Sequence, residues 1–417
     1  MKFNKNYNIF IGINGSGKTS ILDAISISLG GFTSGIDGIG NYGFSKDDVQ
    51  YKMYQTGGTL ISREKQYPVS IESTINFENT VIEAKRSLLS ESGRTTTKEA
   101  KDLISYASNL QNKIRKGDNS IELPLIAYYG TGRLWNKKNK TDMSINSNHS
   151  RLNGYTLCLS ANTNEKMFLE WIKKMTLVQL QNSKVIPELE AVKNALSKCY
   201  KTIDDTIEEA IFDYDLKSDE IEVTITRNNK IIEKLPIRLL SDGIKSIFSI
   251  ISNISFRMAT LNPQFPSEKI CNTSGIVIID EVDMHLHPSW QKKIINDLID
   301  IFPNIQFFFS THSPIIIGNV ENNDNQFFVL NNNKIDILKE KSYGRNNESI
   351  LENIMDVNSK PKKIVDLWKK FNDSIDNENI KEAKQILEKL KYILGDNDKE
   401  YIIAETTLFL ETLGDDE

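Results

Sequence analysis

The sequence predicts an α/β fold, a parallel sheet flanked by helices, with a helical insertion at about 160–212 and a helical C-terminal segment. Three observations carry this prediction. A short apolar strand runs through a Gly-rich loop into an amphipathic helix in "NIFIGINGSGKTSILDAISISLG". Further on, "GIVIIDE" is a continuous apolar run, as a strand buried on both faces should be. A helical stretch, "SWQKKIINDLIDIF", and a second apolar strand, "IQFFFSTH", then complete one strand–helix–strand crossover.

Composition narrows the class. The chain has 417 residues, 39% hydrophobic and 26% charged, which is globular and long enough for two or three domains. Its net charge of −5 gives no global basic field, so a DNA or RNA contact would need a local patch. Cys158, Cys199 and Cys271 are not closely paired, which fits neither a zinc knuckle nor a disulfide framework and suits a reducing cytoplasm. No run approaches eighteen unbroken apolar residues, so no membrane span is expected. The start, "MKFNKNYNIF", lacks the apolar region and cleavage site of a signal peptide.

The first loop reads Gly12-x-x-x-x-Gly17-Lys18-Thr19 between its strand and helix. A chance match in a chain of average composition is on the order of one in a hundred, and the flanking elements make it rarer still. The loop Asn14-Gly15-Ser16-Gly17-Lys18-Thr19-Ser20 would wrap the phosphates of a nucleotide. Glycines turn backbone N–H groups inward, Lys18 reaches the β- and γ-oxygens, and the Thr19 hydroxyl takes Mg²⁺. The strand begins only a few residues after Met1, whereas ATPases of this sort usually carry one or two earlier strands over the base. The sequence therefore predicts either a truncated start or an adenine pocket made differently.

Between this loop and residue 240, "LPLIAYYG" reads as a buried strand and "TGRLWNKKNK" as an exposed basic loop. Arg133 would reach a phosphate or a partner, or form a structural salt bridge. Lys137, Lys138 and Lys140 form a solvated face that is also the best local patch for a nucleic-acid backbone. The stretch from "EKMFLEWIKKM" to "IDDTIEEAIFDY" reads as helical, and "EIEVTITRNNKIIEKLPIRL" as a hairpin turned at Asn-Asn. "LLSDGIKSIFSI" then opens a helix on Ser241-Asp242-Gly243, a start suited to face an anion.

"GIVIIDE" ends in Asp280-Glu281, where Asp280 can hold the Mg²⁺ shell and Glu281 can polarise an attacking water. The next strand ends at His312, on the edge where open α/β sheets bind ligands, and there it would meet the γ-phosphate. His285, His287 and Asp283 are too loosely spaced to read as a metal site. From about 336 the chain has helical periodicity: Ile364, Leu367, Trp368 and Phe371 share one face, and Ile386, Leu390, Ile393 and Leu394 another. Such faces pack on each other or the core, or dock a partner. No histidine follows His312, so an HNH nuclease centre cannot lie in this tail, and it shows no clear strand-borne Asp-x-Asp.

Phosphate loop, Leu-Ser-x-Gly at a helix start, Asp-Glu at a strand end and a histidine, in that order, resemble the ABC-type ATPases. The resemblance implies an ABC-type P-loop ATPase head over 1–335, with ATP and Mg²⁺ as ligands. It also implies that Ser241, Asp242 and Gly243 face the γ-phosphate held by a second subunit, in a head-to-tail homodimer or a higher oligomer. The family's Q-loop has one weak counterpart, Gln50 in "KDDVQYK", as a further Mg²⁺ contact. Transporters usually continue Asp-Glu-Pro; "DEVDMHLHP" is more similar to the overcoming-lysogenization-defect and RecF/SMC-like branches, without their long coiled-coil arms.

The stretches "QYPVSIESTI", "GRTTTKEAKDLI", "LPLIAYYGTGRLW", "SRLNGYTLCLSANTN", "FLEWIKKMT" and "YGRNNESILENIM" together resemble the PtuA ATPase of Septu anti-phage systems and its retron-associated relatives. That resemblance implies control of a partner HNH nuclease, PtuB-like, by nucleotide occupancy. Two other functions compete: a RecF- or SMC-like DNA repair ATPase, and a nucleotide-gated scaffold with negligible turnover.

Overall fold

The computed structural model describes residues 1–55, 61–77, 80–132, 150–161, 165–203, 206–228, 230–322, 326–331 and 334–413. Arg133, Lys137, Lys138 and Lys140 lie outside them. Two compact units are present, Met1–Arg345 and Asn346–Glu417.

In the first unit β1 (Tyr7–Gly12) enters α1 (Lys18–Thr33) through the phosphate loop. Two hairpins follow, β2 (Tyr51–Gln55) with β3 (Ile61–Lys65) and β4 (Val69–Phe77) with β5 (Thr80–Leu88), then α2 (Lys101–Arg115) and β6 (Leu125–Tyr129). Helices α3 (Glu165–Asn182) and α4 (Pro187–Ile203) lead to a three-stranded antiparallel sheet of β7 (Glu209–Asp215), β8 (Glu220–Arg227) and β9 (Lys230–Pro236). The long helix α5 (Asp242–Leu261) and the turn α6 (Ser267–Ile270) precede β10 (Gly275–Ile279). Then come α7 (Pro288–Gln291), α8 (Ile294–Ile301), β11 (Ile305–Thr311), α9 (Pro314–Asn319), β12 (Phe327–Asn331) and β13 (Lys334–Ile337).

The central sheet runs β13-β12-β1-β11-β10-β6. Four pairings put β12, β1, β11, β10 and β6 parallel, and the fifth adds β13 antiparallel at the edge. Ile9, Phe10, Ile11, Val277, Ile278, Ile279, Phe307 and Phe309 are fully buried in it. Each such side chain contributes roughly 1.5–3 kcal/mol of hydrophobic stabilisation. Ile11 pairs with Thr311, and Ile279 with Phe309, so three strand ends carrying predicted site residues reach the same edge.

Three expectations change. Residues 209–212 are not the end of a helical insertion but the start of β7, whose burial alternates with period two, Ala210, Phe212 and Tyr214 facing inward. The expected domain boundary at 335 falls inside β13, which pairs with β12 and keeps that stretch in the first unit. The helix read over "SWQKKIINDLIDIF" is broken, because Lys293 N turns back to Trp290 O at 3.0 Å and α8 starts afresh at Ile294.

The second unit consists of α10 (Asn347–Asn353), α11 (Lys362–Asp376), α12 (Ile380–Leu394) and α13 (Lys399–Leu413). Its core joins Ile364, Phe371, Ile386, Leu387, Leu390, Tyr401, Ala404 and Leu408, with Leu367, Trp368 and Leu394 partly buried against them. The two apolar faces read from the sequence thus pack together, except that Ile393 is exposed. Leu390 is fully buried. Leu390→Ala should lower the stability of α11–α13 by about 2–5 kcal/mol. Hydrogen exchange of these helices measures it, and a loss below about 1 kcal/mol would show that Leu390 is not a core anchor there.

Candidate nucleotide site

Gly15 and Gly17 have φ of 78° and 96°, a left-handed conformation that side chains resist, and no heavy atom lies within 4 Å of the position a Cβ would take on either. The loop is therefore open on its inner side. Gly12 is the opposite case, since a Cβ there would meet Ser16 Oγ at 2.6 Å and Leu330 O at 2.7 Å. Close passage of β1 against β12 at this point requires glycine.

Lys18 is only 5% exposed. Its Nζ donates to Gly12 O at 2.9 Å and Ile13 O at 3.0 Å, across the mouth of the loop. Burial holds its pKa below the usual lysine value, and the carboxylates of Asp280, Glu281 and Asp283 oppose that shift. His312 Nδ1 lies 3.4 Å from the same Nζ, and His312 Nε2 lies 3.7 Å from Glu281 Oε1. An ammonium only donates, so a bond between the two would need Nδ1 as its acceptor.

The Thr19 hydroxyl donates to Asp280 Oδ2 at 2.9 Å. Ser310 Oγ donates to Asp280 Oδ1 and accepts from Glu281 N at 2.7 Å. Asp280 N and Val282 N bond Tyr129 O and Ser310 O, at 2.8 and 3.0 Å, which pins the acidic strand end between β6 and β11. Directly after it, Glu281 takes φ of 47°, in the left-handed region. A non-glycine residue held there at a strand end is strained, as residues at functional sites often are. Glycines open to a phosphate, a lysine at the loop mouth and a hydroxyl–carboxylate pair fit Mg²⁺·nucleotide, and the Ser16 hydroxyl is buried without a partner among the described residues.

A protein-family profile described as "AAA domain" matches residues 1–235. The chain belongs to this AAA domain family. Among similar proteins, the retron Vc95 probable ATPase of Vibrio cholerae serotype O1 biovar El Tor is 26% identical over 358 residues, 76% of this chain and 67% of that protein. The retron Ec83 probable ATPase of Escherichia coli is 24% identical over 419 residues, 86% of this chain and 73% of that protein. Septu protein PtuA of Bacillus thuringiensis is 26% identical over 231 residues, 53% of each chain. The resemblance to the PtuA and retron-associated ATPases holds, the fold is that of a P-loop ATPase, and family and relatives support ATPase activity.

The other sequence-predicted residues of this AAA domain protein fall in three places. Asn14, Ser16 and Ser20 lie in or just after the loop. Ser241 caps α5, accepting from Ile244 N at 3.4 Å, and both Ser241 and Asp242 are exposed. Gly243 is buried, and a Cβ on it would meet His285 O and Trp290 Cζ3, each at 2.7 Å. The helix start therefore leans on the loop that follows Glu281. Gln50 sits on an exposed stretch before β2, its carbonyl accepting from Gln66 N at 2.9 Å. His287 caps α7 by accepting from Ser289 N.

Sequence reasoning missed Asp23, Tyr128, Ser310 and Thr311, and weighed Asp283 only as a loosely spaced metal ligand. Tyr128 OH donates to Asp23 Oδ1 at 2.9 Å, one turn beyond Thr19, and burial raises the pKa of the Asp23 carboxyl although this bond opposes it. Thr311 Oγ1 donates to Asp283 Oδ1 at 2.6 Å, tying the loop after Glu281 to the strand that ends at His312. The two hydroxyl residues between the three phenylalanines and His312 in "IQFFFSTH" were the available signal. The "SRLNGY" stretch is structural: Arg151 donates to Leu261 O and Ile121 O at 2.7 and 2.6 Å, and the buried Tyr155 donates to Pro124 O at 2.7 Å.

Thr19→Val keeps the branched shape and removes the hydroxyl that meets Asp280. A lost hydrogen bond to a charged group, about 1.5–3 kcal/mol, should weaken ATP binding in the presence of Mg²⁺ by about tenfold or more and leave Mg²⁺-free binding nearly unchanged. Calorimetry with and without Mg²⁺ measures the difference. Equal loss in both conditions would remove Thr19 from the metal shell.

Proposed function

We propose that the chain binds ATP·Mg²⁺ in the cytoplasm, closes into a head-to-tail homodimer around two nucleotides, hydrolyses them, and thereby controls a partner HNH nuclease in anti-phage defence. The observation that carries the dimer is the place of Ser241. Its exposed, capped helix start leans on the loop after Glu281, and α5 packs mainly against α4 and the turn at Arg151–Tyr155, with lesser contact to α3 and β6. A helix start presenting N–H groups outward is suited to an anion brought by another subunit.

In this reading Lys18 and the N–H groups of the loop bind the phosphates, while Thr19 and Asp280 hold Mg²⁺. The metal would supply charge neutralisation between the β- and γ-oxygens. Glu281 orients water, and His312, between Lys18 and Glu281, senses the terminal phosphate. The defence role and the nuclease rest on likeness to the retron probable ATPases and Septu PtuA proteins. Among the described residues no helix is long and apolar enough to cross a membrane.

The geometry has a complementation test. Ser241→Arg should block closure and leave ATP binding by a single subunit largely intact, whereas Lys18→Ala should abolish that binding. Each variant alone should be inactive. Mixed dimers keep one composite site, made of the phosphate loop of the Ser241→Arg chain and the Ser241 helix of the Lys18→Ala chain. Partial hydrolysis in the mixture is expected; none, in covalently linked heterodimers, would sink the trans assignment or require both sites to fire together, and linked dimers carrying one wild-type chain separate these.

A further inference from the structure

The second unit carries a groove of about 910 Å³ between α11, α13 and the turn after α10. Its floor is apolar: Val365, Trp368, Phe371 and Ile375 from α11, and Ile403 and Ala404 from α13. Ile403 is 66% exposed, and Phe409 and Leu410 farther along α13 are exposed as well, although Tyr401, Ala404 and Leu408 already bury its other face. A helix apolar on both sides is built to be covered on both sides.

The rim is acidic. Five carboxylates, Glu352, Asp356, Asp373, Asp376 and Glu400, line the groove against two amines, Lys360 and Lys369. Lys360 is already engaged, bonded to Glu400 and 3.3 Å from Glu348. Asp356, Asp373 and Asp376 are exposed and carry no ion pair among the described residues. The charges fall at the two ends. Glu352 and Asp356 stand beside the start of α11, and Asp373 and Asp376 on its last turn; Val365 to Asp376 spans about 16 Å along that helix.

We propose that this groove docks a short amphipathic helix of a partner protein, about three turns long, with an apolar stripe against Trp368 and Ile403 and basic residues at both ends. Apolar contact supplies the affinity, and the two carboxylate clusters set register and exclude acidic segments. The occupant is identified by that chemistry, whatever the partner's activity, so the inference stands apart from the nuclease assignment.

The test uses the full chain and a fluorescein-labelled three-turn peptide with Leu along one face and Lys at both ends. Saturable binding is expected, at least tenfold tighter than for the same peptide with Glu in place of Lys. The Asp373→Lys/Asp376→Lys variant should lose tenfold or more, and Ile403→Glu a similar factor. Trp368→Phe should remove the change in tryptophan emission on binding. ATP affinity should be unchanged in all three variants, because none touches the nucleotide site. Absence of saturable binding, or undiminished binding to the double Asp variant, overturns the proposal. It is equally overturned if the peptide fails to bind while the double Asp variant reduces self-association of the chain, which would make the groove a contact between copies.

Discussion

The parallel register of β1, β11 and β10 is the constraint on which the site depends. With Ile11 opposite Thr311 and Ile279 opposite Phe309, the phosphate loop that leads to Lys18, the strand end before His312 and Asp280-Glu281 reach one edge. The hydroxyl of Thr19 then closes on Asp280, and the hydroxyl of Ser310 holds that carboxylate from the other side. A shift of one residue in either pairing would turn the alternating side chains to the opposite face and separate these groups. The buried aromatic and β-branched residues of the three strands make such a shift costly.

Much of this was legible because the chemistry sits in local patterns. A Gly-rich loop between strand and helix, and an Asp-Glu at the end of an apolar run, need only short-range reading. What connects them was not legible. Ser310 and Tyr128 act through neighbours far away in the chain, Asp280 and Asp23, and only the strand order brings them there. Likewise β7 was read as helix because Glu208 and Glu209 continue a helical composition, while its period-two burial depends on pairing with β8. "SRLNGY" is one of the stretches that carry the family resemblance, yet its arginine and tyrosine brace the end of α5 and the entry to β6.

The division into two units suits a nucleotide-driven device. In the proposed scheme the first unit supplies the groups for phosphate, metal and water at one sheet edge, and its exposed helix start at Ser241 faces a second subunit. The second unit has its own core around Leu390 and an acid-rimmed apolar groove. Coupling between them would convert a local event, charge gathered at Lys18 and Asp280, into a change that a bound partner reads.

The dimer carries the whole scheme, and Glu281→Gln isolates it. The substitution keeps the side-chain shape and removes the carboxylate proposed to orient water, so on this account bound ATP should persist. Multi-angle light scattering of Glu281→Gln with ATP and Mg²⁺ should give twice the protomer mass or an even multiple of it, and the shift should vanish when Ser241→Arg is added. An unchanged mass with ATP demonstrably bound would contradict closure of two subunits around the nucleotide.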